Sequence, residues 1–511
     1  MRLLDLPGEL IDEIINYTCP DGLESFALSC KAVYQRAYTQ MEKHNALRTQ
    51  WQHTRNDTTA RYADSLRILS KICAAPRIGW YIEQLDLWDK RVGVEGEVVD
   101  DFREDSEVME RVRSAVRASS FLRDAGVDAD EWWEKITVED DDGADPDDWL
   151  GTPFTDVFLL SLLPNLRELQ LYRGTYFGPV QPPPNDEVLL VKVLDAIVAR
   201  ANSDNEDGGE KALGKLRTIL PFLAEGYEER APLQCLEPFL RLHSLQELFG
   251  VSLIAVEDGY TGVPFSWLHP GQISYLKRIE LAYCCMDSEG IWTLLSRTPH
   301  LTSFAYSHQS KWHGCEHNWN AGAFIEAIAR TVGPTLTSLA ITVDLLRVNI
   351  INGASSFHSF PQLQHLEIGM QVFYGPPVES GQERGINLEN SDGTLWTEND
   401  IPCLGSMLPD LIRTCDLNTD FDSLHTKALD SLLKNIKEER TQRLKELECV
   451  TVRQWLHGTA QPQTQRAEVN LEIYRPPRLP ENEEGTILQH SMMPAWKRKF
   501  SERVGGLMFN E

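Results

Sequence analysis

Pro334-Thr335-Leu336-Thr337-Ser338-Leu339-Ala340-Ile341 is a proline-led Leu-x-x-Leu-x-Leu stretch, and the same chemistry returns along most of the chain. The proline cannot continue a preceding helix and passes the chain into extended backbone. Along that strand Leu339 and Ile341 share one face, while Ser338 and Ala340 share the other. Further copies are Ile82-Glu-Gln-Leu85-Asp-Leu87, Leu166-Arg-Glu-Leu169-Gln-Leu171, Leu276-Lys-Arg-Ile279-Glu-Leu281, Leu301-Thr-Ser-Phe304-Ala-Tyr306, Leu363-Gln-His-Leu366-Glu-Ile368 and Leu444-Lys-Glu-Leu447-Glu-Cys449. Degenerate copies start near Leu216, Leu245 and Ile412. Pro164, Pro299 and Pro361 give other copies the same lead-in. From Leu245 to Leu363 the intervals are 31, 25, 35 and 27 residues, the length of one strand plus one helix. A unit of that size cannot bury its own apolar edge, so neighbouring units must stack.

The recurrence resembles the leucine-rich repeats. That resemblance implies an irregular α/β solenoid over 76–455. Amphipathic strands of another α/β fold would produce any single copy equally well. If the apolar pair of each copy points inward, its neighbours line the opposite sheet face. Trp88, Tyr172, Arg278, Glu280, His365 and Glu367 are the candidate client-binding residues on that face. Aromatic ends would serve as anchors and the acids would favour a basic client segment. A merely solvated sheet face is the competing reading.

Ahead of the repeats stands Leu4-Asp5-Leu6-Pro7-Gly8-Glu9-Leu10-Ile11-Asp12-Glu13-Ile14-Ile15, then a Pro20-Asp21-Gly22 break and Leu28-Ser29-Cys30-Lys31-Ala32-Val33-Tyr34. Leu6, Leu10, Ile11, Ile14 and Ile15 recur at helical spacing, and Leu23, Phe26, Ala27, Cys30, Val33, Tyr34 and Ala37 supply two more short helices. Three helices this small cannot bury so much apolar surface among themselves. A partner is expected to complete their core.

This segment resembles the F-box, the adaptor-binding module of SCF-type ubiquitin ligases, and its last part resembles the fungal version. The resemblance rests on Leu6-Pro7-x-Glu9-Leu10, Ile14-Ile15 and Leu28-Ser29-Cys30-Lys31-x-Val33-Tyr34, and covers about residues 3–40. It implies that Leu6, Pro7, Leu10, Ile14, Leu23, Phe26, Leu28, Cys30 and Val33 form or support a face that docks a Skp-type adaptor, and through it a cullin. An amphipathic cap on the following domain is the plainer alternative.

The chain of 511 residues carries 77 acidic against 49 basic side chains, a formal charge of −28 that disfavours nucleic acid and anionic membranes as partners. The ten cysteines lack the dense spacing of a secreted scaffold and read as thiols of a cytoplasmic or nuclear protein. Of the adjacent pair Cys284-Cys285, one thiol is expected in the core and one at its rim. Acids at 5, 9, 12 and 13 speak against a secretory leader.

The expected organisation is an F-box over 1–47, a helical linker over 48–75, the repeats over 76–455 and a strand with a tail over 456–511. Residues 41–75 read as helix, and Val469, Leu471 and Ile473 alternate as the strand. An acidic insertion at 89–148 reads as a solvated loop, and 370–400, rich in Gly, Pro and Asn, reads as another. Lys497-Arg498-Lys499 reads as a solvated helix face.

No phosphate loop, dinucleotide fingerprint, nucleophile elbow or zinc-protease helix occurs. His308, His313, Cys315 and His317 gather metal-type ligands, but a polar loop is the preferred reading and no metal or cofactor is expected. Together, the resemblances to the F-box and to leucine-rich repeats imply a non-catalytic substrate receptor of a cullin-RING ligase. A binding scaffold that uses the adaptor without driving degradation remains the alternative.

Overall fold

The computed structural model describes residues 3–55, 63–87, 105–137, 152–171, 185–203, 211–256, 263–269, 271–311, 318–347, 349–384, 396–419, 426–455, 460–474 and 494–504. The chain is α/β and divides into two compact units. The first comprises Met1–Thr175, Pro183–Thr218 and Leu242–Ser244, and the second comprises Tyr176–Pro182, Ile219–Arg241 and Leu245–Glu511.

The first unit opens with α1 (Gly8–Tyr17), α2 (Leu23–Ala27) and α3 (Lys31–Trp51), and continues through β1 (His53–Arg55), α4 (Ala63–Ala74) and β2 (Gln84–Asp86). Then come α5 (Ser106–Ala118), α6 (Ser120–Asp124), α7 (Ala129–Thr137), α8 (Thr152–Leu160), β3 (Glu168–Gln170) and α9 (Asn185–Asn202). Strands β1, β2 and β3 pair in parallel, aligning His53 with Gln84 and Glu168. Leu85, Leu87, Leu169 and Leu171 are all buried, as their copies require.

Two expectations need correction here. Residues 41–75 are not one helical stretch: α3 ends at Trp51 and the chain enters β1. The Glu83 amide donates to the Gln52 carbonyl at 3.0 Å, which makes β1 the first strand of the series. The acidic insertion is not simply a solvated loop, because 105–137 folds into α5, α6 and α7. Asp105 caps α5 by accepting from the amides of Glu107 and Val108, and Ser119 caps α6. Val112, Val116, Phe121, Leu122, Trp132 and Ile136 are buried, and Trp132 packs edge-on against Phe154 at 4.8 Å. The acids occupy the outer faces of these amphipathic helices. The run Glu139–Asp148 lies outside the described residues.

In the second unit come β4 (Thr218–Leu220, at the division), β5 (Ala231–Pro232), α10 (Glu237–Leu240), β6 (Glu247–Val251), β7 (Leu253–Ala255), β8 (Arg278–Met286) and α11 (Ser288–Leu295). They are followed by β9 (Ser303–His308), β10 (Trp319–Asn320), α12 (Ala321–Val332), β11 (Ser338–Val343), β12 (Ile350–Asn352) and β13 (His365–Gly369). The last elements are α13 (Leu404–Met407), β14 (Thr414–Asn418), α14 (Thr426–Leu433), α15 (Ile436–Gln442), β15 (Cys449–Trp455), α16 (Gln461–Ala467), β16 (Asn470–Tyr474) and α17 (Ala495–Arg503). The sheet runs β6-β8-β9-β11-β13-β14-β15-β16, every neighbouring pair parallel.

The repeat sets the register. Leu339 aligns with Phe304 and Leu366, and Ile341 with Tyr306 and Ile368. At the strand entries a ladder of backbone hydrogen bonds joins Gln246, Lys277, Thr302, Thr337, Gln364, Arg413 and Glu448 in turn, each rung 2.8–3.0 Å. Inward side chains form the core with α11 and α12, and each fully buried leucine contributes about 1.5–3 kcal/mol. The copy from Leu245 is degenerate because its last slot is Gly250, where a Cβ would lie 2.6 Å from Leu253 and 2.8 Å from Leu281.

The ladder also corrects one copy. Glu448 occupies the rung of Arg413 and Gln364, so the last full copy is Leu447-Glu-Cys-Val450-Thr-Val452, three residues later than Leu444 suggests. Within 370–400, the described residues 370–384 and 396–400 run as loop with short 3₁₀ turns at Met370–Phe373, Val378–Ser380 and Glu398–Asp400, and 385–395 lie outside the described residues. Cys284 and Cys285 are both buried, because β8 is covered on both sides, so neither thiol sits at a rim. The nine described cysteines are free thiols. Among the described residues no helix is long and apolar enough to cross a membrane.

Candidate functional site

Helix α1 carries two apolar stripes. Ile11 and Ile15 turn inward and join Leu23, Ala27 and Ala37 in a small core, with Leu6, Cys19, Phe26 and Met41 packed at its edge. Leu10, half-buried Ile14 and Tyr17 form the other stripe, at spacings of four and three. Leu10 is 45% exposed and Tyr17 81%; Leu28 after α2 is 73% exposed, and Tyr34 and Tyr38 on α3 are 43% and 52%. Five of the eleven large apolar side chains that stand exposed among the described residues thus fall between positions 10 and 38. Scattered exposure needs no explanation, but such concentration in one stretch of the chain, through α1, α2 and the start of the long α3, does.

The same helices are fastened to the rest of their unit. Asp21 accepts hydrogen bonds from Asn165 at 2.9 Å and Lys215 at 2.7 Å, and Asn165 also donates to the Trp80 carbonyl at 2.7 Å. His44 lies 3.1 Å from the Tyr81 hydroxyl, and burial lowers its pKa. Between α1 and α3, the Arg36 guanidinium donates twice to Asp12 and holds that carboxyl below its usual range.

Of the adaptor-face candidates, Pro7, Leu10 and Leu28 are exposed, while Leu6, Ile14, Phe26 and Cys30 are half-buried. Leu23 and Val33 are completely buried. They hold the helices together and present no surface.

A second site lies in the other unit, on the sheet face opposite its helices. There α17 packs through Trp496, Phe500 and Val504 against Phe249, Val251, Ala282, Tyr283, Ala305 and Ala340. Phe500 meets Phe249 edge-on at 5.8 Å. The Glu367 carboxylate receives the amides of Ala495 at 2.7 Å and Trp496 at 2.9 Å, the unpaired donors at the start of α17. It also accepts from Asn418 at 3.0 Å and Arg453 at 3.1 Å. Burial raises the Glu367 pKa, against the pull of Arg453.

Arg453 is itself buried and pairs further with Asp416 at 3.2 Å and Glu472 at 2.7 Å. Its neighbour on α17, Arg498, reaches Glu472 at 3.1 Å. Lys497, wholly buried, pairs with Asp344 and lies 3.4 Å from the centre of the Tyr283 ring. Burial lowers the Lys497 pKa and Asp344 opposes that. Arg503 pairs with Glu280, which Arg278 also contacts at 3.1 Å. Trp496 Nε1 donates to Thr342 Oγ1 at 3.2 Å.

The structure therefore brings Arg278, Glu280 and Glu367 to one face, as expected, but beneath the chain's own helix. His365 lies on the same strand edge, exposed and 3.0 Å from Thr414. Trp88 and Tyr172 lie outside the described residues. In Lys497-Arg498-Lys499 the expectation of a solvated face fails at Lys497 alone, which is buried, while Arg498 and Lys499 are exposed.

Sequence reasoning missed Asp344, Thr342 and Arg453. All three lie beyond the hexads of their copies, Thr342 and Asp344 past Ile341 and Arg453 one residue past Val452 of the shifted last copy. His308 is buried, stacks on Trp319 at 4.2 Å and bonds Tyr306 at 2.8 Å. His313, Cys315 and His317 lie outside the described residues. Among the described residues no group of three His, Cys, Asp or Glu side chains is arranged to hold a metal ion. The sequence matches no protein-family model and no curated protein.

Proposed function

We propose that this chain is a substrate-recognition subunit of an SCF-type cullin-RING ubiquitin ligase. Its N-terminal helices act as an F-box that docks a Skp-type adaptor, and the adaptor brings the cullin. The repeat-like sheet holds a protein client, and ubiquitin transfer belongs to the partners. This chain supplies proximity and orientation without catalytic residues of its own. The setting is the cytoplasm or nucleus.

The observation that carries the reading is the exposure of Leu10, Tyr17, Leu28, Tyr34 and Tyr38, five large apolar side chains within residues 10–38, outside the small core of these helices. Such a patch on a small helical segment is what a protein partner covers. The test is affinity purification of the tagged chain from cells. The adaptor and a cullin are expected among the recovered proteins, and co-purifying clients are expected to accumulate when Leu10 and Leu28 are both alanine. Adaptor recovery with unchanged client levels favours a scaffold instead. Failure to recover any adaptor overturns the reading.

A further inference from the structure

We propose that the sheet face bearing Glu280, Asp344 and Glu367 is a receptor for an aromatic-basic helical segment of a protein client, and that α17 occupies it as a resident competitor. The inference rests on the receptor reading for the identity of the client, while the face and its occupant stand on their own geometry.

The fit of α17 specifies the ligand. Trp496, Phe500 and Val504 recur every four residues and fill one apolar strip, so the ligand is helical with anchors at that spacing. A cation directly after the first anchor meets Asp344 and the Tyr283 ring; another seven residues after that anchor meets Glu280. The first turn of the ligand is capped by Glu367, which needs two free backbone amides. Pro494 before them leaves that start open for the carboxylate.

A second observation shows that α17 does not exhaust the face. Glu280 Oε2, Asp344 Oδ2 and Asn418 Oδ1 are buried and take no hydrogen bond from the described residues. These side chains are 5% exposed or less. Lys497 meets one oxygen of Asp344 with a single ammonium, whereas a guanidinium in its place would fork across both. A ligand with arginine there outcompetes the native helix. Displacement is feasible because burying Lys497 carries a desolvation cost that offsets much of its pairing. Helix α17 has nine residues, too few to persist once lifted from the sheet.

The probe is a labelled peptide copying residues 492–505, tested with and without K497R, against the full chain. The variant W496A/F500A frees the face and is expected to bind the peptide at least tenfold more tightly than the wild-type chain, with the K497R peptide tighter still. Adding E367Q or D344N to that variant is expected to return binding to the wild-type level or below. Equal binding by wild type and variant, with unchanged melting, overturns the proposal.

Should W496A/F500A fail to fold, hydrogen exchange of the wild-type chain decides. Excess peptide is expected to strip protection from residues 495–503, and protection that excess peptide leaves unchanged overturns the proposal. A concentration-dependent dimer that the peptide dissolves would assign the face to a second copy and also overturn it. None of these measurements involves the adaptor, so failed adaptor capture would sink the ligase reading and leave this result standing.

Discussion

Leu10→Ala combined with Leu28→Ala is expected to weaken binding of a purified Skp-type adaptor by at least a hundredfold and to leave the melting curve of the chain unchanged. Both side chains stand in solvent, 45% and 73% exposed, so trimming them opens no cavity. On docking, each leucine that becomes fully buried contributes about 1.5–3 kcal/mol. Two of them together amount to roughly 3–6 kcal/mol, a factor between about a hundred and ten thousand. Leu23→Ala or Val33→Ala would be a poor substitute. Those side chains are the core, and their loss costs roughly 2–5 kcal/mol of folding stability before any partner is involved. Titration calorimetry reads the affinity and a thermal melt reads the fold. Undiminished affinity in the double variant would mean that the exposed stripe is not the docking face.

Arg453→Met is expected to cost the second unit roughly 3–5 kcal/mol, the largest single-residue effect the structure suggests. The arginine side chain is 8% exposed and pairs with Glu367, Asp416 and Glu472 at once. Removing it leaves three carboxylates from neighbouring strands facing one another with no buried cation among them. Glu367→Gln in the same chain is expected to restore part of the loss, because it removes one of the three charges, although its single amide oxygen keeps only one of the two helix amides that the carboxylate accepts. The pH dependence has a definite sign. Burial raises the Glu367 pKa above its unfolded value, so its protonated form is favoured in the fold. Stability from that group is full at low pH and is lost as pH rises through the folded value. The deficit of Arg453→Met should therefore shrink as pH falls from 7 toward 5. Urea denaturation of both chains at several pH values measures it, and a deficit below about 0.5 kcal/mol at pH 7 would show that the cluster is not mutually dependent.

The stacked-strand plan was legible because inward residues repeat with a fixed chemistry. Leu85, Leu169, Ile279, Phe304, Leu339 and Leu366 each begin the buried pair of their strand. Where the reading slipped, a buried residue outside the strand imitated the pattern. Leu444 follows α15 and is buried, yet the strand inserts Val450 and Val452 instead. The helices of 105–137 were masked by acids on their outer faces, which dominate the composition but not the packing. The occupant of the sheet face left almost no trace. Ala495–Arg503 offers two aromatic rings among five charged side chains, and such a charge run ordinarily faces water. Only the parallel register gathers Glu280 of β8, Glu367 of β13 and Asp344, just past the end of β11, into a surface that can bury a lysine. The exposed stripe of α1 was legible for the opposite reason: its apolar residues exceed what the small core with α2 and the start of α3 takes in.

Hydrogen exchange of the wild-type chain, alone and with saturating Skp-type adaptor, tests the docking face. A stoichiometric complex is expected, with new protection on α1, α2 and the first turns of α3, around Leu10, Leu28 and Tyr34, and with β8 to β11 unchanged. No association at concentrations of tens of micromolar, or protection that spares residues 5–38, would contradict it.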